Sequence, residues 1–384
     1  MILLLQRNRL VLFDNIFLKQ RNNTLKTKET KIYICEGILP LKEKHYLCQN
    51  KTVKRQTKKM KTIEQLQQEA ILVIENENFT NNPKNLYEPI DYAMHQGGKR
   101  IRPLLVLMAA DIFLCSTQKA YGAAKAVEVL HNFTLLHDDI MDASPLRRGK
   151  PTVYNKYDTN TAILSGDTMF ALAYTYLFEY KDEVLAQLTK TLTLGSIGVC
   201  QGQAMDMYFE TRGDVTLAEY IEMIRKKTGV LIATALAMGA IVAGANQEEV
   251  SSLYAFGENI GIAFQIQDDL LDCWSNLEAF GKVTGKDIAD RKKTYLYLTA
   301  MQKADKTTKA ELISLYSNDN GLSIEQTEQR LKALYETLEL RQNAMQDMLS
   351  YNKKAFAQLE KINIDSNRKT NLITFAEKLI KRNK

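Results

Sequence analysis

The sequence predicts an all-α fold, and three observations carry that expectation. Apolar residues recur at helical spacing through most of the 384 residues, beginning with Ile63, Leu66, Ala70, Ile71, Val73 and Ile74. Six prolines and eighteen glycines are few for this length, which disfavours a turn-rich β architecture. No stretch sustains the apolar–polar alternation of a strand, and no repeat of solenoid length is present. The expected organisation is one helical domain over residues 60–384 behind an unlike leader.

That leader, residues 1–59, carries a formal charge of +10, so the remainder is −4 although the whole chain is +6. The basic excess is therefore no argument for nucleic-acid binding by the folded part. Met1–Leu5 is apolar, but Arg7 and Arg9 interrupt it too early for a secretory signal, and no small-residue cleavage site follows. The leader reads as a disordered extension, a presequence, or translated sequence upstream of the natural start, with Met60 as an alternative initiator. Five cysteines without a C-x-x-C pair read as reduced thiols of a cytoplasmic protein. No apolar run reaches the length of a membrane span.

The helices follow in order. Thr62 to about Glu77 is periodic, and Asn81-Asn82-Pro83 breaks it. A short helix with Pro89 in its first turn ends at Gly97-Gly98. Lys99-Arg100-Ile101-Arg102-Pro103 then stands at the start of an apolar helix, Leu104–Phe113, an arrangement suited to anions. Ala120–Asp142 is apolar on most faces and so buried. Ala162–Tyr180, Ser196–Tyr208, Leu217–Ala243 and Val250–Leu271 are further helices, and beyond about Asp305 the chain is amphipathic.

The chemistry lies in a repeated acidic pattern. His137-Asp138-Asp139-Ile140-Met141-Asp142 is followed by Arg147-Arg148-Gly149-Lys150-Pro151-Thr152, and Gln267-Asp268-Asp269-Leu270-Leu271-Asp272 repeats the pattern. Residues i and i+4 share a helix face, so Asp138 and Asp142 point together, as do Asp268 and Asp272. Like charges at that spacing repel by a few tenths of a kcal/mol, and a divalent cation compensates. A few hard oxygen ligands with room for water and phosphate describe Mg²⁺. Arg147 and Lys227, with Thr228 beside it, are the candidate phosphate cations. His131 and His137 flank the first motif. A cavity below such a site implies a hydrocarbon substrate ending in diphosphate.

These residues also resemble a known family. GGKRIRP, DDIMD with RRGKPT, GQAMDM, KKTG, FQIQDDLLD and GKVTGKD, spread from about Leu86 to about Leu379, are similar to the motifs of trans-isoprenyl diphosphate synthases of the polyprenyl synthetase family. The resemblance implies a helical bundle around a deep central cavity and a homodimer. It implies head-to-tail joining of isopentenyl diphosphate to a dimethylallyl, geranyl or farnesyl diphosphate, and a Mg²⁺ cofactor of about three ions per site. It implies Asp138, Asp142 and Asp268 as metal ligands, supported by Asp139, Asp269 and Asp272. Arg147, Lys227, Thr228, Gln265 and Lys282 match positions that hold the allylic diphosphate, and Lys99, Arg102, His131 and Arg148 those that hold isopentenyl diphosphate. The basic end, Lys381, Arg382 and Lys384, is similar to tails that close over the second site.

Phe133 lies five residues before Asp138, roughly 7–8 Å down the helix at 1.5 Å per residue, where it could floor the cavity. Long-chain members of the family tend to have a small residue at the Phe133 position, and farnesyl enzymes with this motif spacing often carry a second aromatic where Thr134 stands. The resemblance thus implies a geranylgeranyl (C20) product first and farnesyl (C15) second. Terpene cyclases share the first motif but carry an Asn/Ser/Glu second motif, unlike Asp268-Asp269-Leu270-Leu271-Asp272. The other reading is a catalytically inactive regulatory subunit of a heteromeric synthase, which loses one or both acidic motifs; both are intact here.

Overall fold

A computed structural model describes residues 3–6, 9–12, 60–274, 285–317 and 321–380. The chain divides into two compact units, Met1–Thr57 and Lys58–Lys384. In the first, the described elements are strands Leu3–Gln6 and Arg9–Leu12, paired antiparallel with Gln6 opposite Arg9. No strand was expected there: the apolar run is too short for its periodicity to declare one.

Among the described residues of the second unit the regular elements are helices, apart from one small hairpin described below. Helix α1 (Ile63–Glu75) starts at Thr62, whose hydroxyl caps Gln65 while the Gln65 side chain caps Thr62 in return. Such a box is worth about 1 kcal/mol. Helix α2 (Lys84–Met94) begins ahead of expectation, so Pro89 lies inside it rather than in its first turn. Helix α3 (Ile101–Ile112) leads to α4 (Tyr121–Met141), which carries the first motif at its C-terminal end. A short α5 (Val153–Lys156) precedes α6 (Thr159–Thr175), and α7 (Asp182–Thr211) runs for 30 residues.

The expected helix 217–243 is continuous but changes its winding midway. Helix α8 (Leu217–Ile224) passes through one π-helical turn, Arg225–Gly229, into α9 (Val230–Val242). Every residue from Val230 to Ile241 is buried; a helix apolar all round belongs in the interior. Helices α3, α4, α7 and α10 (Gln247–Trp274) pack around it. Burying each large apolar side chain contributes roughly 1.5–3 kcal/mol, so α9 anchors the bundle. Helix α10 spans two apolar cores. Phe256 and Ile260 join the first, and Ile262, Ile266 and Leu270 join the second, with Tyr295, Leu312 and Tyr335 from the later helices.

Candidate active site

The first acidic motif ends a buried helix, and its second carboxylate turns inward. Asp139 is 4% exposed, and Arg147 Nε donates to its Oδ1 at 2.7 Å. Arg147 Nη2 reaches Asp138 Oδ2 at 3.4 Å. Arg147 can do this because Leu146–Arg147 and Lys150–Pro151 pair as an antiparallel hairpin. Arg148 (φ 54°) and Gly149 (φ 75°) form its two-residue turn in the left-handed region. That is the geometry of a type I′ turn, for which Asn-Gly rather than Arg-Gly is the usual sequence, so the hairpin was not legible beforehand. A non-glycine residue held there is strained, as residues at functional sites often are.

The π turn presents the second cation. Five residues fill a turn that ordinarily takes fewer, and π turns recur at functional sites. Lys227 Nζ meets Asp206 Oδ2 at 2.6 Å and Asp138 Oδ1 at 3.5 Å. Burial works to lower the Lys227 ammonium, but Asp206 and Asp138 outweigh it and hold it above the ordinary lysine range. Gly202 permits the approach of α7: a Cβ there would lie 2.3 Å from the Lys227 amide nitrogen. Thr228 Oγ1 donates to Gln265 Oε1 at 3.1 Å, and Gln265 Nε2 donates to Asp269 Oδ1 at 3.3 Å.

Asp269 itself is 3% exposed. Tyr220 Oη and the Tyr295 amide donate to its Oδ2 at 2.6 and 3.1 Å. Burial, then the nearby Asp287, push its carboxyl well above the usual range. Asp272 accepts from the Asp287 amide at 3.0 Å, and burial with Asp272 raises the Asp287 carboxyl to about 7. Asp268 is partly buried one residue before Asp269. Burial, then Asp138, also raises Asp142, which Lys292 Nζ approaches to 4.0 Å.

A cation cluster lies across the hairpin. Arg102 Nη1 bonds His131 Nε2 at 2.8 Å. Arginine has no acceptor, so His131 accepts through Nε2 and carries its proton on Nδ1. Burial, then Arg102, Arg148, Arg147 and Arg100, keep the imidazole well below its ordinary 6.5, so it is neutral. Burial lowers Arg102 to about 10, still cationic, and its Nε is buried without a hydrogen-bond partner. Arg148 Nη1 donates to the Gly97 carbonyl. Gly98, at φ 131°, leaves room for that guanidinium: a Cβ would sit 2.7 Å from Nη1. Lys99 is exposed beside them, and its carbonyl accepts from Gln67 Nε2 at 2.6 Å. Several cations pressed together with few anions is what diphosphate binding asks for.

Phe133 belongs to an aromatic file. Its ring centroid is 4.8 Å from His137 and 5.4 Å from Phe170, and Phe170 is 5.5 Å from Tyr174. Thr134 Oγ1 donates to the His131 carbonyl at 2.8 Å. His137 Nε2 lies 3.2 Å from the Ile163 carbonyl, a local contact to α6.

The structure thus brings Asp138, Asp139, Arg147 and Lys227 together, and Arg102, His131 and Arg148 together. Lys282 and the basic end at Lys381, Arg382 and Lys384 lie outside the described residues. Sequence reasoning missed Asp206, Lys292, Asp287 and Phe170 as site residues. GQAMDM and GKD did contain Asp206 and Asp287, but single charges carry no periodic signal. Among the described residues no group of three or more His, Cys, Asp or Glu side chains could hold a metal ion unaided. Mg²⁺ does not need one, since it takes one or two carboxylates, keeps waters and completes its shell with substrate phosphates.

Residues 83–338 match the model of the polyprenyl synthetase family. The short chain isoprenyl diphosphate synthase of Methanocaldococcus jannaschii is 40% identical over 247 residues, 64% of this chain and 75% of that protein. The geranylgeranyl diphosphate synthase of Methanosarcina mazei is 39% identical over 260 residues, 66% of this chain and 77% of that protein. A crystal structure of a geranylgeranyl pyrophosphate synthase superposes with a TM-score of 0.80 at 40% identity, over 85% of this chain and 100% of the other.

Proposed function

The chain belongs to the polyprenyl synthetase family, and from that membership we propose the reaction and the residues that carry it. It is a prenyltransferase that joins isopentenyl diphosphate head-to-tail to an allylic diphosphate, with geranylgeranyl diphosphate as main product. The observation that carries the residue assignment is Asp138, which Arg147 approaches at Oδ2 while its buried Oδ1 makes no hydrogen bond and faces the Lys227 ammonium at 3.5 Å. A buried carboxylate oxygen with an ion pair but no hydrogen bond is incompletely satisfied, and a ligand can complete it.

Asp138 from α4, Asp142 at the C-terminal cap of that helix and Asp268 from α10 would hold Mg²⁺, with Asp139, Asp269 and Asp272 supporting them. When bound, the metal neutralises the negative charge that grows on a departing diphosphate. Arg147, Lys227, Thr228, Gln265 and Lys282 hold the allylic diphosphate. Lys99, Arg102, His131 and Arg148 hold isopentenyl diphosphate, His131 donating through Nδ1–H and Arg102 through its unpartnered Nε. The allylic C1–O bond breaks with its electron pair on the diphosphate. The isopentenyl double bond attacks C1, and a proton from isopentenyl C2 leaves to the released diphosphate. The protein holds both diphosphates and keeps water away; no side-chain nucleophile is required.

Phe133, with Thr134 beside it, floors the hydrocarbon cavity and limits the product. Residues 60–384 form the synthase domain, and residues 1–59 are an extension outside it. A second copy of the chain covers α6 and α7. Tyr174 Oη and Thr193 Oγ1 join these helices at 3.1 Å, and Leu164, Leu194 and Ile197 stand exposed on them. The partners are thus two small-molecule diphosphates and a second copy, without nucleic acid. Among the described residues no helix is long and apolar enough to cross a membrane. Free Cys115, Cys200 and Cys273 suit the reducing cytoplasm. Diphosphate release from isopentenyl and farnesyl diphosphates, followed with and without Mg²⁺, tests the reading. Turnover requires the metal if the reading holds, and turnover indifferent to it contradicts the metal assignment.

A further inference from the structure

Helix α2 and the arginine hairpin meet at a single carbonyl. Tyr92 Oη and Gln96 Nε2 both donate to the Pro151 carbonyl, at 2.8 and 3.1 Å. The two donors are four residues apart, Tyr92 in the last turn of α2 and Gln96 just beyond its end. Gln96 is 8% exposed, so its amide is committed to this contact. Lys156, just beyond the hairpin, places its ammonium 3.6 Å from the centre of the Tyr92 ring, and the Tyr157 ring meets Tyr92 edge-on at 6.1 Å. At the other end of the hairpin, Arg148 donates to the Gly97 carbonyl. The base is closed by the Thr152 amide on the Pro145 carbonyl at 3.0 Å and by Thr152 Oγ1 on the Ser144 carbonyl at 2.9 Å.

This hairpin straddles both diphosphate positions. Arg147 faces Asp138 and Asp139, whereas Arg148 faces the segment that leads into Lys99 and Arg102. Arg147 is fixed directly by a buried carboxylate. Arg148, in a strained conformation at φ 54°, is held by the turn and by the Gly97 carbonyl just beyond α2, with Glu128 and Asp139 near enough to act on its charge. We infer that Gln96 and Tyr92 are positioning residues that lock the hairpin to α2 and thereby set Arg148 against the isopentenyl diphosphate position, an inference that rests on the reading of the site given above. They touch neither substrate. Their effect falls on one substrate because Arg147 keeps its own anchor.

Gln96→Met keeps the side-chain volume and removes the donor, and Tyr92→Phe removes only the hydroxyl. Two neutral hydrogen bonds lost together predict about a tenfold rise in KM for isopentenyl diphosphate in the double variant. KM for the allylic substrate should change less than about twofold, because Arg147 keeps its anchor. Gln96→His, which can still donate, should restore most of the difference. A second readout does not depend on turnover. Limited trypsin digestion, with cuts located by mass spectrometry, should proceed about tenfold faster after Arg147 and Arg148 in the double variant and unchanged elsewhere. Unchanged KM, both KM values rising together, unchanged cutting at the hairpin, or faster cutting throughout the chain would each overturn the assignment. A wild-type chain without turnover would contradict the reading of the site and remove the positioning role with it. A wild type that turns over beside indifferent variants would contradict the positioning role alone.

Discussion

Asp139 and Asp269 occupy the same place in two copies of one motif, yet their surroundings are opposite. Both are buried, at 4% and 3% exposure. Asp139 meets a guanidinium, Arg147, at 2.7 Å. Asp269 meets neutral donors, from Tyr220, Tyr295 and Gln265. Burial raises both carboxyls. Arg147 offsets part of the rise at Asp139, whereas Asp269 is pushed well above the usual range. The lesson is that a repeated sequence pattern fixes a helix face and leaves the electrostatics to whatever packs against it. The first motif works inside a network of protein cations; the second is tied into the core through α10 and Tyr295.

The largest effect that would break this comparison is at the rim. Asp138→Ala should reduce kcat by about 10³-fold or more while the thermal midpoint stays within a few degrees; near-normal turnover would remove Asp138 from the metal site. Next comes the pair itself. Asp139→Asn weakens the hold on Arg147 and should cost about 10–100-fold in kcat/KM. In Asp269→Asn the amide oxygen can still accept from Tyr220 and Tyr295, and Gln265 can turn its amide, so the loss should be below about threefold. Equal losses would mean that the two inner carboxylates do the same work.

Phe133→Ala should lengthen the product by at least one isoprene unit with little change in rate, as read by mass spectrometry; an unchanged product would pass the floor to Phe170, its neighbour at 5.4 Å. The smallest effect concerns His131. Its imidazole titrates well below 6.5 in the folded chain, so below that pH the unfolded chain binds the extra proton. Stability contributed by His131 is therefore full above pH 6.5 and is lost as pH falls toward the folded value, by at most about 1.4 kcal/mol per pH unit. Denaturant titrations of His131→Gln should show a flatter dependence over that window, and an identical slope would mean that the histidine is not held neutral.

Much of this was legible beforehand, and the exceptions share a cause. The helices bearing both motifs, the break at Pro83 and the pairing of Asp138 with Asp142 follow from periodicity and spacing. The π turn at Arg225–Gly229 does not, because one extra residue in a turn leaves the apolar pattern almost intact. The hairpin at Leu146–Pro151 was hidden by an arginine where turns of its type prefer asparagine. Asp206, Lys292 and Asp287 were hidden because their meaning lies in what faces them. Lys292, for example, is held above the ordinary lysine range against burial by Asp206, Asp142 and Asp287, which come from three separate segments.

The most direct test of the account is the product made by the full-length chain. Given Mg²⁺, isopentenyl diphosphate and, in turn, dimethylallyl, geranyl and farnesyl diphosphates, it should yield a C20 diphosphate from each primer, identified by mass spectrometry. No Mg²⁺-dependent prenyl diphosphate from any primer would contradict the account and favour an inactive regulatory subunit.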